Sequence, residues 1–432
     1  MRVLISTWPA HGHLLPMLPL ARAAQRAGHE VVVASGAEGV AEARRRGLPT
    51  WDVGPSRAEA GVAFRELIPD LNAIPPNQRI PTVISGMFGA AAPRRAVDLV
   101  PRAREWKPDL VVHPVTDLAG AIAAAHTGAT HAVHGVGPIP AEAWAWFGSR
   151  FDDLCREWDV PELADGILET TYLDNCPPAL QPDAVADFRR RQPLRPNSGE
   201  VLPGERLPWD DDTLAALPYE TTVHLTLGTL FHGATHVFET ALAGLHHLPV
   251  NVLVTVGPGT DPRRLGPQPS HILVADFAPH ALLLPRCAAL VTQGGASTIV
   301  AALCHGLPHL ILPQGADQFL NAATAEHAGV ALVLPPPQAT PEAVGTVVRR
   351  LLDDPSLTGA ARAVQAEIET MPTADEVLAA LVDGKDATTE GYRYVEERNT
   401  PADANHPRIL KDDGDPGTAK EEAICADFPP QQ

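Results

Sequence analysis

MRVLISTWPAHGHLLPMLPLARAAQRAGHEVVVAS, residues 1–35, passes through two kinds of local code and back again. Arg2-Val-Leu-Ile-Ser-Thr7 is a short apolar run rich in branched residues, the composition of a strand buried on both faces. Trp8-Pro-Ala-His-Gly-His13 breaks the run as a loop, Pro16 suits the first turn of a helix reaching Ala27, and Gly28 stops it. Glu30-Val-Val-Val-Ala-Ser35 then restores the strand code. Strand, helix and strand at this spacing form a βαβ unit, whose strands must lie parallel with the helix on the sheet face. The pattern recurs at 110–113 (strand), 118–127 (helix) and 131–134 (strand). The first half therefore reads as a doubly wound α/β domain.

Across 193–219 the code fails, with Arg195-Pro-Asn-Ser-Gly and Pro208-Trp-Asp-Asp-Asp212 typical of a linker. Thr222-Val-His-Leu-Thr-Leu227 restarts it, and strands at 251–256, 271–274, 289–292 and 309–312 alternate with helices at 236–245, 296–305 and 317–328. Helices at 340–354, 359–370 and 374–382 follow. The expected organisation is a first Rossmann-like domain over 1–200, a linker over 201–220, a second such domain over 221–372, a closing helix over 373–382 and a disordered tail over 383–432. The tail carries acidic clusters and few large apolar residues, too little burial to offset the entropy of ordering it.

The 432 residues hold 33 Lys+Arg against 52 Asp+Glu, a formal charge of −19, so phosphate backbones are repelled and nucleic-acid binding is not expected. No apolar run approaches the roughly 18–20 residues of a membrane span, and the first residues lack a signal-peptide core, so a cytoplasmic setting without membrane partners is expected. Five scattered cysteines with no CxxC argue against a disulfide framework and a zinc site.

Two doubly wound domains enclose a cleft, and ligands in such sheets sit at the carboxyl ends of the strands. His13 stands just past the first strand, where a neutral imidazole can take a proton from an attacking alcohol; a histidine bonded within its own loop is the plainer alternative. Gln293-Gly-Gly-Ala-Ser-Thr298 joins a strand to a helix, with two glycines and two hydroxyls where an anion would meet the helix start; an ordinary capped turn has the same spelling. Asp317-Gln318 can accept from and donate to sugar hydroxyls, or simply cap a helix. There is no GxxxxGK[ST] in that loop and no GxGxxG after the first strand, which removes the main support for ATPase and nicotinamide chemistry. Trp144, Trp146, Phe147, Phe151 and Trp158, with Met87-Phe88, read either as a greasy acceptor pocket or as core packing.

His11-Gly-His13 with Pro16, Leu227-Gly-Thr229, Asp276-Phe-Ala-Pro-His280 with Leu284-Pro285, Gly294-Gly295 with Thr298, and Leu312-Pro-Gln-Gly-Ala-Asp-Gln318 with Asn321 occur in this order over 1–381. Together with Met371-Pro372 and Glu376, this series resembles the GT-B-fold family 1 glycosyltransferases, most of all the bacterial enzymes that attach deoxysugars to macrolides, enediynes and aromatic polyketides. The resemblance implies a GT-B fold and an inverting, metal-independent transfer from a TDP- or UDP-sugar to a hydroxyl of a hydrophobic natural-product aglycone. The nucleotide sugar, a TDP-deoxysugar by this likeness, is a co-substrate, and no other cofactor is implied; a homodimer is the oligomer expected.

By position His13 would be the base, Gly228 and Thr229 would line the diphosphate, and Phe277 and Ala278 would border the nucleobase. Gly294, Gly295, Ser297 and Thr298 would hold the phosphates, and Asp317 and Gln318 the donor sugar. The chain departs from the pattern twice. Gln293 stands where relatives usually have His, and offers the diphosphate a neutral donor in place of a charged one. Pro114 stands where many relatives have the Asp that orients the base; Asp117, or else Thr116, is the expected substitute. Rival readings are a non-catalytic auxiliary subunit, a sugar-nucleotide epimerase, and a metal-dependent transferase built on Asp210-Asp-Asp212.

Overall fold

The computed structural model describes residues 1–70, 73–182, 188–228 and 235–384. Its first sheet takes β1 (Arg2–Ser6), β2 (Glu30–Ser35), β3 (Thr50–Asp52), β4 (Leu110–Pro114), β5 (Thr130–His134), β6 (Thr171–Asp174) and β7 (Arg190–Pro193) in the order β3-β2-β1-β4-β5-β6-β7. The second takes β8 (Thr222–Thr226), β9 (Asn251–Thr255), β10 (Ile272–Ala275), β11 (Ala289–Thr292), β12 (His309–Ile311) and β13 (Ala331–Val333) in the order β10-β9-β8-β11-β12-β13. Every pairing is parallel, β1 matching β2 from Arg2↔Glu30 to Ser6↔Ala34. These are the two Rossmann-like domains read from the sequence.

The unbroken apolar spelling of β1 has a direct cause. Val3 and Ile5 face the helix Leu18–Arg26 through Leu20 and Ala24, while Leu4 faces the opposite layer through Leu99 and Leu118. With both faces covered, alternation is lost. Strand order reverses between β1 and β4 in one sheet and between β8 and β11 in the other, so the crevices open beside those strand ends.

The helix after β1 begins earlier than Pro16. Ala10 is extended (φ −131°, ψ 143°) and caps a turn His11–Leu14, followed by a 3₁₀ turn Leu15–Met17 and the helix Leu18–Arg26. Pro16 and Pro19 each lack an N–H, which divides the path into short pieces without stopping it. His13 thus rides on a helical turn and not in a loop. Strands β6 and β7 escape the sequence reading because Thr-Tyr-Leu-Asp and Arg-Arg-Gln-Pro lack a long apolar run; β7 is an edge strand.

Two chain crossings join the domains. Glu200 and Glu205 are tied to the first domain by Arg22 (2.9 Å) and Arg45 (2.7 Å), whereas Leu207, Trp209, Leu214 and Leu217 pack on Leu253, Ala278 and Leu283 of the second. Asp210 caps the short helix Asp211–Ala215 through Thr213 N–H (2.8 Å), so the acidic run serves as a cap and first turn. The chain returns as the helix Ala374–Asp383, whose Ala374, Val377 and Leu378 join the core of Val3, Ile5 and Leu20, with Asp375 2.6 Å from Arg26. Residues 385–432 of the expected tail lie outside the described residues. No helix among the described residues is long and apolar enough to cross a membrane.

Candidate active site

His13 stands at the carboxyl end of β1, where the turn begun by Ala10 projects it toward the crevice beside β4. Its Nδ1 is 2.9 Å from Thr116 Oγ1, on the loop leaving β4. The ring packs against Phe88 at 5.4 Å between centroids, and Phe88 packs edge-on against Trp8 at 5.0 Å. Burial disfavours the imidazolium and lowers the His13 pKa to about 4, the charge of Asp117 opposing this in part. At neutral pH the ring is uncharged and able to accept a proton.

Asp117, expected to orient this base, makes no hydrogen bond to it. Its Oδ2 accepts from Ser6 Oγ (2.6 Å) and Arg95 Nη2 (2.8 Å), and its Oδ1 from Arg95 Nε (3.1 Å). Burial opposes ionisation of this carboxyl, but Arg95, His113 and Ser6 outweigh it and hold the pKa below the ordinary value. Arg95 also donates to Val53 O (3.2 Å), and its Cγ lies 2.3 Å from where a Cβ on Gly54 (φ +73°) would stand, so that neighbour must be glycine. Asp117 therefore acts on His13 only through its field, and the hydrogen-bonding partner is Thr116. Arg95 was not anticipated, yet its spacing announces it: it falls on the helix face of Ala92, Ala96 and Leu99, an arginine inside an apolar stripe.

The second domain offers three neighbouring strand ends. Gly228, after β8, has φ +68°, and a Cβ there would stand 2.2 Å from Gln293 Nε2. Gln293, after β11, takes Thr292 Oγ1–H on its Oε1 (2.9 Å), which turns the amide nitrogen toward Gly228 and Gly295. Gly294 has φ +93° and backs onto Ile311 Cγ2, 2.7 Å from a would-be Cβ, so no side chain fits. Gly295 precedes the helix Ala296–Leu303 without a side-chain cap, which leaves the first N–H groups beside the half-buried Ser297 and Thr298 free for an anion.

After β12, Asn321 Nδ2 donates to Gly294 O (2.9 Å) and Asp317 Oδ2 (3.0 Å), joining the Asp317 loop to the glycines. Gln318 Oε1 accepts from Gln314 N–H (2.8 Å) and Gly315 N–H (3.2 Å), so this side chain clamps its own loop. Asp317 is exposed and Gln318 buried. Phe277 is 42 % exposed and Ala278 buried, both past the end of β10. Thr229 lies outside the described residues.

The halves touch at this place. Ser297 Oγ–H reaches Gly12 O at 3.4 Å, one residue from His13, and a Cβ on Gly137 (φ +146°) would stand 2.5 Å from Ala296 Cβ. Gly12, the residue before His13, thus meets the uncapped helix start across the domain contact. The aromatic group lies elsewhere: Phe147 and Phe151 are buried and Trp144 packs on both (5.6 and 5.3 Å), while Trp158 meets His126. They are core, and of that set Phe88 alone has a ring contact with His13 among the described residues.

Known proteins resemble this chain over both of its domains. The family models for the N-terminal and C-terminal domains of erythromycin biosynthesis protein CIII-like proteins match residues 22–205 and 237–383. A 10-deoxymethynolide desosaminyltransferase of Streptomyces venezuelae is 29 % identical, over 94 % of this chain and 100 % of its own length. The elloramycin glycosyltransferase ElmGT of Streptomyces olivaceus is 31 % identical, over 88 % of this chain and 97 % of its own. Among solved structures, glycosyltransferase VinC in complex with dTDP superposes with a TM-score of 0.69 at 27 % identity, covering 89 % of this chain and 99 % of that one.

Proposed function

The chain belongs to the erythromycin biosynthesis protein CIII-like family of glycosyltransferases, and from that premise we propose that it moves a deoxysugar from a TDP-sugar to a hydroxyl of a hydrophobic natural-product aglycone, with inversion and without a metal. The observation that supports this reading is that Gly12, the chain neighbour of His13, meets the uncapped helix start through Ser297 at 3.4 Å. The names of the relatives support the sugar and acceptor classes, and VinC with its bound dTDP supports the nucleotide.

In the Nδ1–H tautomer His13 donates to Thr116 Oγ1, which leaves the Nε2 lone pair for the acceptor. The acceptor hydroxyl gives its proton to Nε2 as its oxygen forms the bond to the anomeric carbon. The bond from that carbon to the diphosphate oxygen breaks on the opposite face, and its electron pair leaves with TDP. Proton removal by a placed base contributes about 10²–10⁴-fold. The charge growing on the diphosphate meets the N–H groups at Ala296 and Ser297, the amide of Gln293 and the hydroxyls of Ser297 and Thr298. Gly228 and Gly294 let the backbone approach the phosphates, Phe277 and Ala278 border the nucleobase, and Asp317 receives the sugar from the loop that Gln318 holds in place. Domain contact at Gly137 and Ala296 excludes water that would hydrolyse the donor.

The test is a thermal-shift and transfer assay with TDP-, UDP- and GDP-sugars. TDP should raise the melting temperature in wild type and His13→Ala alike, since that variant spares the cradle, while transfer to hydrophobic alcohols and phenols falls about 10²–10⁴-fold in the variant. A protein that no nucleoside diphosphate stabilises would overturn the donor assignment.

A further inference from the structure

From Pro76–Val83 through Ile84–Gly89 to Ala90–Trp106 the backbone is a continuous helical rod whose middle segment is a π-turn, with Ala90 N–H bonding to Ser85 O five residues back. Such a turn persists where its surroundings hold it, and it recurs at functional sites. Here it is held from two sides. Gly86 lies under the helix Arg57–Leu67 and the residue after it, so that a Cβ would stand 2.8 Å from Ile68 Cδ1 and 3.1 Å from Phe64 Cε2. Gly89 is crossed by Arg150, whose Cδ is 2.6 Å from a would-be Cβ; Arg150 Nε donates to Ser85 Oγ (2.9 Å), and that hydroxyl to Phe147 O (3.4 Å).

The residue this turn delivers is Phe88, 5.4 Å from His13 at an interplanar angle of 51°, backed by Trp8. One residue more or less in a helix rotates what precedes it by about 100°, so the same sequence in a regular α-helix could not keep Phe88 on the base while both flanking segments stay packed. We propose that Phe88 is a positioning residue for His13 and that the π-turn is the device that holds it there, an inference that rests on His13 being the base.

One hydrogen bond from Nδ1 to Thr116 fixes a single atom of the imidazole, whereas a ring against its flank fixes the plane and so the direction of Nε2. The same ring keeps water from that flank. The charged groups near His13 are otherwise few: Asp117 on the loop after β4, paired with Arg95 of the helix Ala90–Trp106, acts on it through its field. His11 on its own turn is directed to Glu42 (3.9 Å), and the second domain contributes the neutral Ser297 hydroxyl at Gly12. Phe88 and Trp8 therefore provide much of the low-polarity surface that keeps the ring neutral.

The experiment is an NMR titration of the His13 imidazole, its signal identified by loss in His13→Gln, in wild type, Phe88→Ala, Phe88→Leu and Gly86→Ala. The proposal expects His13 to titrate about one pH unit or more higher in Phe88→Ala, close to wild type in Phe88→Leu, and upward again in Gly86→Ala, which keeps the phenylalanine but pushes the turn. An unshifted His13 in a folded Phe88→Ala protein overturns it. If that variant does not fold, an unshifted His13 in folded Gly86→Ala does so. The titration needs no sugar nucleotide, so a failure of the transferase reading shows separately, as a wild-type protein that TDP does not stabilise.

Discussion

Thr116 gives His13 a neutral partner where a carboxylate would stabilise the imidazolium, with the charge of Asp117 neutralised by Arg95. Removing the hydroxyl in Thr116→Val should lower kcat about tenfold, the worth of one hydrogen bond of about 1.4 kcal/mol. Thr116→Asp should move the acid limb of kcat/KM to higher pH, because a carboxylate there favours the protonated base; a pH–rate profile checks both. Asp117→Asn leaves Arg95 as a buried charge without its counter-ion and should cost about 3–5 kcal/mol in urea unfolding. Acid stability follows from the other buried histidines. Burial lowers His134, His280 and His309 to about 4 and His224 to about 3. The unfolded chain therefore binds protons from about pH 6.5 downward while the folded chain does not until about pH 4. Stability should be fully present above pH 6.5 and drop as pH falls through that window, seen as a falling melting temperature with uptake of several protons on unfolding.

At the scale of elements, what was legible is what local chemistry dictates. The strands 289–292 and 30–35 and the helix 118–127 have the bounds that the sequence predicts, because runs covered on both faces and capped by glycine or loop residues carry their own punctuation. Gly228 and Gly294 stand out in the sequence for the same reason: positive φ and close approach favour glycine there. The π-turn leaves no such mark, since Ile68, Phe64 and Arg150, the side chains that crowd it, come from other elements. Thr116 against Asp117 was equally undecidable, because which of two neighbours reaches His13 depends on where Arg95 lies. Gly294→Ala should be strained by about 1–3 kcal/mol at φ +93° and should abolish the TDP-dependent thermal shift even where the protein folds, since the new methyl pushes the loop off Ile311.

For the whole molecule, the proposed transfer requires the two lobes to be brought together and kept together. The linker is anchored to the first domain through Glu200 and Glu205 and to the second through Leu207 and Trp209, which confines any hinge on this crossing to the residue or two between. The other crossing is fixed by Arg195, whose N–H donates to Pro372 O (2.7 Å) and whose Nε donates to Met371 O (2.8 Å). Gly137→Val, which drives a side chain against Ala296 and parts the lobes, should suppress transfer more than TDP binding, seen in paired binding and turnover assays. The central claim, a neutral imidazole facing an anion cradle, is tested most directly by the pH dependence of kcat/KM in wild type and His13→Gln. Wild type should stay active well below pH 6, with its acid limb near the about 4 at which His13 takes up a proton, and the variant should lose the limb together with about 10²–10⁴-fold in rate. A His13→Gln protein that turns over as fast as wild type, with the same limb, would contradict the account.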